Sequence, residues 1–318
     1  MVPFILYLMT CLVEKLSDFS NIRVPVNVTF LLLASGLLIS GCSPAPESIT
    51  HSQDTANAKL NNTSTKFNDV IITFSVHFQG APIQCDQPLN IQNEQWHISE
   101  LAMFFSQLSL NNFSATILDE NDWQSQQIAL IRYAPGCKPT TGNMSVMAAI
   151  ANIDLKAPLT LSFNVGVPFA VNHQNPLIQA SPLNDSSMFW AWRNGYKFIR
   201  WDMQNDTGDS WSFHLGSVGC ESAAMVRAPQ KPCAQPNLIP VELMLSPDSI
   251  QVLAVPQKTG AGQSGVGIKQ IHINISIHLD EIIRTMLPTR KSSCMFSGID
   301  NTTCNELVEN LKLNAVFK

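Results

Sequence analysis

The most regular pattern in the chain is strict alternation of apolar and polar positions. Over 271–279, Ile271, Ile273, Ile275, Ile277 and Leu279 alternate with His272, Asn274, Ser276 and His278. A period of two predicts a strand with one buried and one wet face. Residues 71–78 repeat it, with Ile72, Phe74, Val76 and Phe78 on one side. Further strands are predicted at 103–110, 126–132, 159–165, 188–203, 210–215, 240–245 and 249–255. Turn signals such as Asn111-Asn112, Pro135-Gly136, Asn194-Gly195 and Pro247-Asp248 separate them. Helical periods are scarce, and only 280–287 and 305–313, near the C-terminus, read as short helices. Many short strands punctuated by Gly, Pro and Asn predict an all-β domain over 70–318, an antiparallel β-sandwich with long loops.

The N-terminal 69 residues are different. Residues 24–41 form an apolar run preceded by Lys15 and Arg23 and closed by Leu38-Ile39-Ser40-Gly41 directly before Cys42. That arrangement reads as an export signal over 1–41, and its end resembles the lipobox of bacterial lipoproteins. Cys42 is then the lipidated N-terminus, and 42–69, rich in Pro, Ser, Thr and Asn, is a tether. The expected product is an exported, membrane-anchored lipoprotein. Ser43 after the cysteine suits the outer membrane, facing the periplasm or the cell surface.

Export decides how the cysteines are read. Cys85, Cys137, Cys220, Cys233, Cys294 and Cys304 are an even set without C-x-x-C spacing, so disulfides are expected rather than a thiolate metal site. Spacing pairs Cys220 with Cys233 and Cys294 with Cys304, leaving Cys85 for Cys137. The chain carries 45% hydrophobic and 14% charged residues and a net charge of −5, which excludes a disordered polyelectrolyte and leaves no basic surplus for nucleic acid.

The densest chemistry lies in Met188–Trp201. Asn194-Gly195 between two apolar runs predicts a two-residue hairpin turn. Trp190 would then face Ile199 and Met188 would face Trp201, placing Met188, Trp190, Trp192 and Trp201 on one face. Such a patch is oxidisable and polarizable, or else it is ordinary strand core. His173 in Asn172-His173-Gln174-Asn175-Pro176 and His214 in Phe213-His214-Leu215-Gly216 flank it in sequence, while His77 and His97 follow Val76 and Trp96. His272 and His278 share a strand face roughly 20 Å apart, too far to hold one ion, and read as solvent-facing. Imidazoles with a thioether suit copper(I) better than calcium or magnesium. No GxSxG, HExxH, P-loop or Rossmann fingerprint is present, so the chain is not read as an enzyme.

These stretches, with Phe163-Asn164-Val165-Gly166-Val167-Pro168, Leu183-Asn184, Gly216-Ser217-Val218-Gly219-Cys220 and Cys233-Ala234-Gln235-Pro236-Asn237, resemble the MbnP family in the same order. These are the four-cysteine-motif proteins of the metallo-mystery pair, and the resemblance spans roughly 71–280. It implies a partner, the diheme cytochrome c peroxidase-like MbnH, that oxidises a tryptophan to kynurenine, after which copper, as Cu(I), binds there. By motif, the implied ligands are His173 and His214, with Met188 a weak one and His77 and His97 in reserve. Trp190 or Trp192 is the leading candidate for oxidation, and Trp96 and Trp201 stay open. Cys294 and Cys304 fall outside the four-cysteine motif. The alternative is a structural or ligand-binding β-sandwich lipoprotein without metal.

Overall fold

A computed structural model describes residues 67–84, 86–134, 141–151, 153–254, 269–295 and 301–318. The export signal, Cys42, nearly all of the tether, Cys85 and Cys137 lie outside these residues. Two sheets face each other. The first runs Ile250–Ala254, Lys269–His278, Phe67–Phe78, Ser145–Ala151 and Thr116–Ile117 in spatial order. The second runs Ser210–Leu215, Ile199–Asn205, Glu94–Leu110, Thr160–Val165 and Ile239–Met244, with Ile128–Tyr133 also on the long strand. Among the described strands pairing is antiparallel, except that Phe67–Phe78 and Lys269–His278 run parallel.

Alternation decides what lies between the sheets. Phe74 of the first sheet meets Phe105 of the second at 4.7 Å, and Phe163 and Phe317 complete an aromatic cluster around them. Leu101 and Met103 share the face of Phe105, and their partners Trp201 and Ile199 point the same way. Trp201 is fully buried and packs edge-on against Trp211 at 4.9 Å. Arg200, Asp202 and His214, one residue out of phase, therefore face outward.

Glu94–Leu110 organises the second sheet. Ile128–Tyr133 pairs with 101–106 on one edge, while the other edge is shared end to end by Ile199–Asn205 and Thr160–Val165. The change-over is at Phe104, whose N–H donates to Phe198 O and whose carbonyl accepts from Gly166 N–H. Gly166 has φ +127°, and a Cβ there would strike the Phe198 ring. At this split the segment 166–198 leaves the sheet and returns. It lies over the outward face, with Phe104 packed against Tyr196 at 5.5 Å. The central strand is thus buried on both sides across 101–106.

The predicted strands are present, with corrections. The strand predicted at 103–110 begins nine residues earlier, at Glu94. The Ala-rich strand Ser145–Ala151 was not predicted, because alanines give a weak strand signal although Val146, Ala148 and Ile150 are buried. The helix predicted at 280–287 is only Leu279–Ile282, and the second is Thr302–Leu311, capped by the Asn301 side chain. Cys294 and Cys304 form a disulfide that ties this helix to a segment paired with the sheet edge, where His214 N–H donates to Cys294 O.

Candidate metal centre beneath the tryptophan hairpin

The hairpin is not the one predicted. Phe189–Ala191 pairs with Gly195–Tyr196 in the register Phe189↔Tyr196 and Ala191↔Gly195, so residues 192–194 form the turn. Of the two residues that the predicted turn needs at positive φ, only Gly195 has it. Gly195 sits at φ +78° with Asn172 directly against its Cα, and Asn172 Oδ1 accepts from Tyr196 N–H at 2.8 Å. The predicted common face of Met188, Trp190, Trp192 and Trp201 is therefore wrong. Met188 is fully buried, Trp201 belongs to the inter-sheet core, Trp192 is half-buried, and Trp190 is 39% exposed.

The Asn172-His173 corner follows the short helix Phe169–Asn172. Asn172 is buried and cross-links the site, donating to Ser217 Oγ at 3.2 Å while holding the hairpin strand. His173 Nδ1 lies 3.1 Å from the Trp192 carbonyl, which only an N–H can serve, so Nδ1 carries the proton. Its Nε2 is then the lone-pair nitrogen, with Asn172 Nδ2 at 3.2 Å and Cys233 Sγ at 3.6 Å. Burial pushes this imidazole below its ordinary pKa, against a smaller opposite pull from the Trp192 carbonyl. The Cys220–Cys233 disulfide, formed as spacing predicted, closes the next wall, and Met225 O within its loop accepts from Arg193 N–H. His173 and the two sulfurs lie within 4.8 Å of one another, but both sulfurs are spent in the disulfide.

His214 enters from the sheet. Its Nε2 is 2.7 Å from Asp202 Oδ1, and its ring is 6.1 Å, edge-on, from Trp190. With Nε2–H given to the carboxylate, Nδ1 is the nitrogen left to donate electrons in the neutral ring. Burial pushes Asp202 up, but hydrogen bonds from His214 and Ser212, with Arg200, outweigh it and hold the carboxyl well below the usual range. Lys197 Nζ stands 5.9 Å over the Trp190 ring and donates to Ser187 O at 2.8 Å. Burial and Arg200 lower its pKa, partly offset by Asp202, Asp185 and Glu100. Arg132 bonds Glu100 at 2.8 Å and Asp185 at 2.6 Å. Lys197, Arg200 and Arg132 thus interleave with Asp202, Asp185 and Glu100 beneath the hairpin.

The remaining predicted residues fall elsewhere. Trp96 is buried, and His97, one residue on and so on the opposite face of the strand, is exposed and bound to Asp206 at 3.0 Å. His77 is on the first sheet, beside His278. Asn172, Lys197 and Asp202 escaped the sequence reading. The alternation Arg200-Trp201-Asp202 held the signal for the last of these, since it puts a carboxylate opposite a core indole.

A family model described as MbnP matches residues 67–295. No curated protein sequence matches the chain. Among solved structures, MbnP from Methylosinus trichosporium is similar with a TM-score of 0.59 and 17% identity, covering 80% of this chain and 98% of that one. At that identity the likeness speaks for the fold. The family match spans most of the described domain, including both histidines, the hairpin and the Cys220–Cys233 loop, and on it the chain belongs to the methanobactin-related MbnP family.

Proposed function

We propose that this protein is an exported copper-binding lipoprotein, anchored through Cys42, whose Trp190 is converted to kynurenine by a diheme MbnH-like partner. It is the partner's substrate rather than an enzyme. The lipobox-like string Leu38-Ile39-Ser40-Gly41-Cys42 supports a lipid at Cys42 as the attachment, at the outer membrane. The observation that carries the reading is the matched orientation of the two buried imidazoles. Each points one nitrogen at an oxygen acceptor, Trp192 O or Asp202 Oδ1, which leaves the other as the lone-pair nitrogen; on His173 an ion would have to displace Asn172 Nδ2 from it. An acceptor behind each ring is how metal-binding histidines have their tautomer fixed and their basicity raised. Both rings adjoin one hairpin, through Trp192 and Trp190.

Trp190 is the better substrate of the two hairpin indoles because it is the more exposed. A heme oxidant draws electrons from an indole over a distance, and the ring need not enter a pocket. Conversion adds two oxygen atoms across the indole C2–C3 bond, then loses C2 as formate by hydrolysis. With two peroxides as oxidant, two waters leave. The product carries an aryl amine and a ketone, donors that indole lacks, and copper as Cu(I) is the cargo they would help to hold. Asp202 orients His214.

One observation favours a metal-free structural role: Asn172 Nδ2 already occupies the lone-pair nitrogen of His173. Copper retention separates the two readings. Protein co-produced with the partner should hold copper, and His173→Ala and His214→Ala should each lose it while remaining folded. Unchanged copper content in both variants would leave only the structural role.

A further inference from the structure

We propose that His77 and His278 form a second metal site, for a divalent transition cation of the copper–nickel–zinc class, on the outer face of the first sheet. It stands apart from the Trp190 hairpin and does not rest on the function proposed above. The parallel pairing of Phe67–Phe78 with Lys269–His278 sets His77 directly beside His278. Their neighbours Val76 and Ile277 are buried, so both imidazoles emerge on the outer side, at the same height on adjacent strands. The ring centroids are 5.1 Å apart and the planes are tilted by 36°.

Each ring is steadied by the serine two residues earlier. Ser75 Oγ lies 3.0 Å from His77 Nε2, and Ser276 Oγ lies 3.0 Å from His278 Nε2. The Ser276 hydroxyl donates its one proton to Lys318 O at 3.2 Å, so it must accept from His278 Nε2–H. Nδ1 of His278 is then the lone-pair nitrogen, free of any proton.

A second observation points to a cation. Asp280, two residues beyond His278, has a buried Oδ1 with no hydrogen-bond partner. An orphaned carboxylate oxygen is costly, and an ion or an ordered water is its usual remedy. Asp280 and Glu281 supply negative charge next to the pair, against the exposed Lys318. Two imidazoles backed by carboxylates suit copper(II), nickel(II) or zinc(II), whereas calcium and magnesium require oxygen shells. Copper(II) should bind most tightly of the three.

The test is a Cu(II) titration of the full chain carrying Trp190→Phe together with His173→Ala and His214→Ala (the W190F background), which removes the ligands proposed at the hairpin, followed by electron paramagnetic resonance for nitrogen hyperfine structure. The W190F background should bind about one Cu(II) with at least two imidazole nitrogens. His77→Asn and His278→Asn, each added separately, should weaken it by about tenfold or more. Zn(II) should compete for the same site. Cu(II) bound with unchanged affinity and spectrum in both histidine variants would overturn the proposal, as would no imidazole-bound Cu(II) in the W190F background. Loss of copper at the hairpin site leaves either result unaltered, so the two proposals fail separately.

Discussion

Trp190 and Trp201 stand on separate strands of one short stretch of chain, yet they live in opposite environments. Trp201 points between the sheets, fully buried against Trp211, and its indole nitrogen has no hydrogen-bond partner. Trp190 lies over the outer face, partly exposed, with a lysine above its ring and a histidine at its edge. The residue type is the same and the physics is not. On the inner face an indole is packing volume; on the outer face it is a reachable electron donor among fixed polar groups. The family's chemistry is accordingly proposed for the outer face of the second sheet, roofed by 166–198.

Mutation should split the pair most sharply. Trp201→Ala should destabilise the fold by about 3–5 kcal/mol, as for a large core aromatic, whereas Trp190→Ala should cost about 1 kcal/mol or less. Urea denaturation reads both, and equal costs would erase the distinction. Cys220→Ser with Cys233→Ser should lower stability by about 2–4 kcal/mol through the freed loop. It should also loosen the hairpin, because Arg193 is bonded to that loop; protease nicking near 192–194 checks this. Gly195→Ala forces a Cβ into Asn172 at a left-handed φ and should cost about 1–3 kcal/mol, seen as a lowered Tm. Asp202→Ala should leave the inner face intact but weaken copper retention about ten- to a hundredfold, because it removes the acceptor that orients His214.

The smallest effect is pH dependence. His173 has a lowered pKa when folded, so its contribution is complete above the unfolded value of about 6.5 and is lost as pH falls below it. Asp202 behaves alike with a lowered carboxyl pKa: its contribution is complete above about 3.9 and declines as pH drops further. Stability measured from pH 8 to pH 3 should therefore fall in two stages, and His173→Gln should remove part of the first.

The inner face was legible in the sequence because alternation is a local property. Ile271 to Ile277 and Ile72 to Val76 announced their strands, and the Cys220–Cys233 and Cys294–Cys304 spacings announced their bridges. The outer face was less so. Asn-Gly favours a two-residue turn, but the observed register is Phe189↔Tyr196 and Ala191↔Gly195, and the hairpin is held by Asn172, more than twenty residues back, through Tyr196 N–H. The pairing of His77 with His278 depends on a parallel contact between strands at opposite ends of the domain, which no local pattern encodes. Asp202 became visible as a partner of His214 only once the strands Ile199–Asn205 and Ser210–Leu215 were aligned.

The most direct test of the copper account is peptide mass mapping of the protein co-produced with the proposed diheme partner, alongside the same protein produced alone. The account predicts that the peptide containing Trp190 gains the mass change of one carbon exchanged for one oxygen, only when the partner is present, and that Trp201 stays unmodified. An unaltered Trp190 with the modification at another indole, or no modification at all, would contradict it.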